Sequence, residues 1–189
     1  ILLLVLVAGM RSMTQQGLHV FLPIYLTNEL GLSSALAGLY LSVTQTAGMI
    51  GTPIAGSISD RSGRKRVLTA GLFSTSVVLF VLAYFQLDWF FITGLAFLGF
   101  FLYAVRPVIW AWVLDLSPKE LGGSTVSFFS GSQSLLSSLS PVICGFIADR
   151  WGILSAFYFL AGTVMVANLI VLAIREENKI TPALVEEPA

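Results

Sequence analysis

Charge along this chain is gathered at intervals, and the long stretches between the clusters carry none. Residues 30–59, 67–87, 121–148 and 151–174 hold no Asp, Glu, Lys or Arg. Each is longer than the ~18 apolar residues that mark a membrane-spanning helix. Two more stretches, 1–28 and 89–114, are interrupted by a single arginine apiece, Arg11 and Arg106. The pattern predicts six spanning helices over about 1–28, 35–58, 67–87, 89–114, 122–147 and 152–174, with connections too short to hold a soluble domain. Residues 175–189 lack apolar periodicity and are rich in Glu and Pro, which predicts a disordered tail with no function of its own. The expected fold class is all-α and integral to the membrane.

Composition points the same way. Hydrophobic residues make up 56% of the chain and charged ones 11%, where soluble domains carry about 25% charged residues. With a mean hydropathy of +0.88, that balance excludes an ordinary water-soluble core. Cys144, the only cysteine, falls in the fifth span; no intrachain disulfide is possible, and it is expected to pack as a small buried residue. The sequence offers no Cys/His metal spacing, P-loop, nucleophile elbow or pair of intramembrane carboxylates. No enzyme activity, cofactor, metal or nucleic-acid partner is expected, and any transport is expected to be driven by a gradient. The first apolar stretch is too long for the core of a cleavable signal. The chain opens at Ile1 rather than Met, as a trimmed chain or part of a longer polypeptide would.

Net charge is zero, but the basic residues are unevenly placed. Putting residues 59–66 in the cytoplasm leaves Arg61, Arg64, Lys65, Arg66, Lys119, Arg175 and Lys179 inside and only Arg150 outside, as the positive-inside rule requires. Both ends of the chain then face the cytoplasm of a multi-pass cell-membrane protein.

The most specific motif is Gly56-Ser57-Ile58-Ser59-Asp60-Arg61-Ser62-Gly63-Arg64-Lys65-Arg66. Its first eight residues align with Gly145-Phe146-Ile147-Ala148-Asp149-Arg150-Trp151-Gly152, sharing Gly, Ile, Asp, Arg and Gly at a spacing of 89 residues. Each copy closes the second helix of a three-helix set, and an odd helix count turns the second set over in the membrane. The longer copy resembles the charged loop G-x-x-x-D-R-x-G-R-[RK] of the major facilitator superfamily. That resemblance implies an inverted 3+3 repeat forming one six-helix half of a transporter, residues 1–174. The segment from Arg106 and Pro107 to Asp115-Leu116-Ser117-Pro118-Lys119-Glu120-Leu121-Gly122 resembles the tenth helix and the loop after it, implying helices seven to twelve; an N-terminal half is the alternative. The partners implied are the lipid bilayer, a small-molecule substrate, and another six-helix half in the same polypeptide or in a second copy.

Within the motif, Gly56 and Gly63 are expected to allow close approach and a sharp reversal, and Asp60 to cap or face the positive N-terminal end of a neighbouring helix. Arg64, Lys65 and Arg66 are expected to hold the segment in the cytoplasm and pair with acids across the bundle. The resemblance implies a gating loop, Gly56, Asp60, Arg61, Gly63, Arg64 and Lys65, with Asp115 as the natural partner of Arg61 or Arg64. The alternative is that these charges serve topology alone.

A bare arginine at mid-bilayer costs at least ~2.5–3.5 kcal/mol, so Arg11 and Arg106 need an explanation. Both lie about 15 Å from the cytoplasmic boundary. Arg11, Gln15 and His19 recur at spacing four and share one helix face; Tyr103, Arg106 and Trp110 do so on the fourth span, beside Pro107. The resemblance adds that the two arginines face each other across the substrate path. Guanidinium, amide, phenol and indole donors suit a carboxylate, phosphate or sulfonate, so the six residues form a candidate site for a small organic anion. Each arginine has an alternative role, bonding backbone carbonyls at a helix break. His19 is a candidate for proton coupling or for packing against a neighbouring helix, and Gln45 and Gln133 for reaching the cavity or for interhelical hydrogen bonds.

Small residues, Gly48, Thr52, Ala55 and Gly56 on the second span and Ser127, Ser130, Gly131, Ser134 and Ser138 on the fifth, mark close helix contacts. The resemblance implies that these faces slide against the other half. Two further functional classes stay open, export of amphipathic drugs and a non-transporting receptor or scaffold.

Overall fold

A computed structural model of the chain describes residues 2–84, 88–117 and 122–174. Among these it holds six long α-helices: α1 Leu2–Ile24, α2 Ser34–Ser62, α3 Arg64–Tyr84, α4 Asp88–Asp115, α5 Gly122–Trp151 and α6 Ile153–Ala173. The expected tail at 175–189, including Arg175 and Lys179, lies outside the described residues, as do Pro118, Lys119, Glu120 and Leu121. By length and apolarity α3, α4, α5 and α6 each meet the requirement for crossing a membrane. The other two are long enough but more polar, α1 through Arg11, Gln15, Gln16 and His19 and α2 through its Ser, Thr and Gln residues.

The helix ends follow from local chemistry. Pro23 removes an N–H near the end of α1, and the helix widens into a π turn at Tyr25–Glu29 whose Thr27 hydroxyl donates to Pro23 O at 3.0 Å. Gly31 turns the chain at φ +64°, and Ser33 caps α2 by accepting from Leu36 N. The charged motif is not an extended loop. Gly63 alone separates α2 from α3, with φ 92° and ψ 144°, and Gly152 alone separates α5 from α6, with φ 87° and ψ 159°. Both combinations are open essentially to glycine only. These are matched positions of the two motif copies, so the sequence repeat is also a repeat of backbone geometry.

Packing has the same symmetry. The main helix pairs are α2 with α4, α1 with α5, α3 with α6, α3 with α4 and α1 with α6. Exchanging the first three helices for the last three, in order, returns the same set. At the α2–α4 crossing the backbones nearly touch: a Cβ on Gly99 would overlap the carbonyl of Thr44, and one on Gly51 would come within 2.7 Å of Phe100 O.

The core has two apolar layers. One, towards the Gly31 end, gathers Leu18, Phe21 and Leu22 with Leu79, Leu98 and Leu160. The other, towards the Gly63 end, gathers Leu4, Val7, Leu68, Val105, Ile109 and Val164. Between them along each helix lie the buried polar residues Arg11 and Thr14 of α1, Thr75 and Ser76 of α3, and Thr163 of α6.

Gly99→Ala is expected to destabilise the protein by about 1–3 kcal/mol, because the Thr44 backbone cannot yield. Gly162→Ala, where a Cβ meets nothing within 4 Å, is expected to be neutral or stabilising by about 0.5–1 kcal/mol. Thermal unfolding of the two purified variants checks the difference in sign.

Candidate functional site

The polar layer is built by side chains bonding to helix carbonyls. Arg11 is 2% exposed and donates from Nε and Nη2 to Leu102 O of α4, at 3.1 and 2.8 Å. Pro107 lacks the N–H that Tyr103 O would normally accept, so the α4 ladder is open beside the carbonyl that Arg11 reaches. Thr14 donates to Met10 O and Leu160 O, and Ser76 to Ala161 O at 2.9 Å, linking α1 and α3 to adjacent carbonyls of α6.

The α1 stripe continues along α4. The Tyr103 hydroxyl and His19 Nε2 lie 2.8 Å apart with the rings edge to face, and Gln15 bonds the same phenol. Gly48 of α2 makes room, since a Cβ there would sit 2.6 Å from the Tyr103 ring. Gln15, His19, Thr44, Gln45 and Tyr103 line one cavity of about 10 Å³, far short of the ~300 Å³ that a small-molecule pocket needs.

The two arginines therefore occupy different environments. Arg11 does not face Arg106 across an open path; its guanidinium is buried between α1 and α4 and hydrogen-bonded there. Arg106 is exposed on the side of α4. Trp110, the third member of its expected stripe, is half-buried and packs edge to face on Phe129 of α5 at 4.8 Å.

At the Gly63 end, Arg64 joins three helices. Its Nε donates to Asp115 Oδ2 at 3.2 Å, and its Nη1 donates to Ser59 Oγ at 2.6 Å and pairs with Asp60. Asp115 is thus matched by Arg64, while Arg61 is exposed on the last turn of α2. Asp60 pairs with the side chain of Arg64, the first residue of α3. Lys65 donates to Leu172 O at 3.1 Å and to Ile174 O, satisfying carbonyls at the C-terminal end of α6. Gly56 has no part in the reversal. It lies inside α2 with open space where a Cβ would stand, and Gly63 alone makes the turn. In the second copy Ile153 and Leu154 replace Arg64 and Lys65, and Arg150 lies 5.7 Å over the Trp151 ring.

The small residues divide between two surfaces. On α2, Gly48 and Ala55 are buried within this bundle; on α5, Ser127, Gly131, Ser134 and Ser138 are exposed. Sequence reasoning missed Thr14, Ser76 and the use of Lys65. The available signal was an isolated hydroxyl residue at mid-depth in an otherwise apolar span. Among the described residues no group of His, Cys, Asp and Glu is assembled that could hold a metal ion.

The family model described as Major Facilitator Superfamily matches residues 4–188. The chain belongs to the major facilitator superfamily. Among curated relatives it is 31% identical over 163 residues to the multidrug resistance protein MdtG of Klebsiella pneumoniae, covering 84% of this chain and 39% of that protein. It is 31% identical over 140 residues to the probable galactarate/D-glucarate transporter GudP of Pseudomonas putida, covering 69% and 30%. A solved structure of a proton-dependent oligopeptide transporter superposes with TM-score 0.82 at 16% identity, over 93% of this chain and 41% of its own. The superfamily is one of transporters rather than enzymes, and the chain spans about two-fifths or less of the length of these relatives.

Arg11→Gln is expected to lower stability by about 1.5–3 kcal/mol, the worth of a charge-assisted bond to a buried carbonyl. Arg106→Gln, at an exposed position, is expected to change it by less than about 0.5 kcal/mol. Melting curves of the two variants in detergent check the contrast.

Proposed function

We propose that this chain is one six-helix half of a secondary transporter working by alternating access, and that its substrate is a small organic anion. The observation that carries the substrate class is the exposed guanidinium of Arg106 in the apolar α4, beside Pro107. Arg11 is already satisfied by Leu102 O and serves to fix α1 against α4 at the same level. Gln15, His19 and Tyr103 supply neutral donors and acceptors next to that seam. The cavity beside Gln15, His19 and Tyr103 is too small for a solute, so a second six-helix half, in the same polypeptide or in another copy, completes the site over the α1, α2, α4 and α5 faces. Similarity to a galactarate/D-glucarate transporter supports an acidic solute.

Arg64, Asp60 and Asp115 form the latch of this account. The pair Arg64–Asp115 joins the start of α3 to the end of α4 with side chains 25% and 57% exposed, where an ion pair contributes about 0–1 kcal/mol. Such a pair can break and re-form in each cycle. By the distribution of basic residues, this end and both ends of the chain face the cytoplasm of the cell membrane.

In proteoliposomes holding the full polypeptide, Arg106→Gln is expected to reduce D-glucarate counterflow about tenfold to a hundredfold, as loss of a ~1.5–3 kcal/mol charge-assisted contact requires. Unchanged counterflow overturns the anion site. Export of amphipathic drugs is the second reading, favoured by the longer match to MdtG, and drug efflux unaffected by Arg106→Gln supports it. Asp115→Asn is expected to leave expression unchanged and to shift inward-facing against outward-facing populations by up to about fivefold. Spin-label distances across the bundle measure that ratio, and an unchanged ratio contradicts the latch.

A further inference from the structure

Three consecutive cations open α3, and two of them are fully used. Arg64 serves Asp60, Ser59 and Asp115, and Lys65 serves the end of α6. Arg66 is exposed and has no hydrogen-bond or ion-pair partner among the described residues. It heads a continuous exposed stripe on α3: Ala70, Phe73, Val77, Phe80 and Tyr84. From Arg66 to Tyr84 the stripe runs about 27 Å, close to the ~30 Å of a bilayer's hydrocarbon core, with a cation at one border and a tyrosine at the other. Length, apolarity and border residues match a lipid-facing helix surface.

Two grooves flank α3 and converge on Arg66. One, of about 280 Å³, runs between α2, α3 and α4 over Ile54, Ile58, Phe100 and Val105; the other, of about 590 Å³, runs between α3 and α6 over Phe73 and Leu172. Arg66 and Ala70 line both. Thr69 and Asn168 line the second groove about one turn below the cation, and their Oγ1 and Oδ1 atoms are buried in its wall without a hydrogen-bond partner. The order with depth is guanidinium, then unpaired polar groups, then apolar wall.

We propose that Arg66 and its two grooves form a specific site for one anionic diacyl phospholipid of the leaflet at the Gly63 end. The phosphate sits on the Arg66 guanidinium, and one acyl chain lies in each groove, astride Ala70. The Thr69 hydroxyl and the Asn168 carboxamide, buried in the wall at the level of the ester groups, reach them by a side-chain rotation. Charge complementarity and the forked apolar shape select this occupant. A soluble anion would use the cation alone, and a zwitterionic lipid would gain no net charge attraction.

The test uses the full polypeptide, delipidated in detergent, with melting temperature followed as lipid is added. Phosphatidylglycerol is expected to raise the melting temperature saturably, while phosphatidylcholine and inorganic phosphate do not. Arg66→Gln is expected to weaken the apparent affinity for phosphatidylglycerol by about fivefold or more, without changing the melting temperature of the lipid-free protein. Arg150→Gln removes the same charge at the opposite end and is expected to leave that affinity unchanged. Equal weakening by both variants, no weakening by Arg66→Gln, or a full shift with phosphate alone overturns the proposal.

Discussion

Hydrocarbon offers no hydrogen bonds, so a polar side chain in the middle of this bundle has to find its partner on protein. That constraint organises the structure. Arg11, Thr14 and Ser76 are buried between two apolar layers, and each reaches a carbonyl of a neighbouring helix, at Leu102, Leu160 and Ala161 respectively. The apolar layers alone would allow α1, α3, α4 and α6 to slide along or rotate about one another, because Leu against Leu in a bundle differs little from Leu against lipid. A donor that must meet one particular carbonyl removes that freedom. Arg11 is the strongest case, since a misplaced guanidinium would be left charged and unbonded at the least tolerant depth.

On this fixed frame two nearly equivalent three-helix units are arranged, and their differences are as informative as their likeness. Gly63 and Gly152 make the same one-residue break. After the first break come Arg64, Lys65 and Arg66; after the second come Ile153, Leu154 and Ser155. The shared glycine therefore belongs to the fold, while the cations belong to one end of it. There Arg64 and Lys65 tie α3 to α2, α4 and α6 through bonds exposed enough to be remade, whereas the mid-bundle bonds are buried. A bundle that is firm at its centre and has remakeable links at one end can move as a unit while the helix ends at the Gly63 side shift against one another, as the proposed transport cycle requires.

Much of this was legible in the sequence because the membrane imposes simple rules. Six helices followed from charge-free length, the repeat from matched Gly, Asp and Arg, and the superfamily from the motif around Asp60 and Arg64. The site was less legible, for a physical reason. Spacing four places Arg11, Gln15 and His19 on one face of α1 but does not say what that face meets. It meets α4, so Arg11 is occupied, whereas Arg106 at a similar depth is exposed. Gly56 was misread as part of a turn, since a motif glycine in a long helix looks the same in sequence as one at a break. Gly48 and the α5 serines looked alike as small-residue faces, but the first is covered by Tyr103 within the bundle and the second is bare.

That bare face carries the central claim, that these six helices are one half of a larger pathway. The most direct measurement places single spin labels on the full polypeptide in a bilayer, at Phe73 and Val77 on α3 and at Leu135 and Val142 on α5. Collision rates are then compared for oxygen, which dissolves in lipid, and for a water-soluble nickel chelate. The account predicts strong oxygen exposure at the α3 positions, and at the α5 positions either protection or nickel access that changes with substrate. Equal oxygen exposure at both sets would mean that α5 faces lipid as α3 does, and would contradict a second half over that surface.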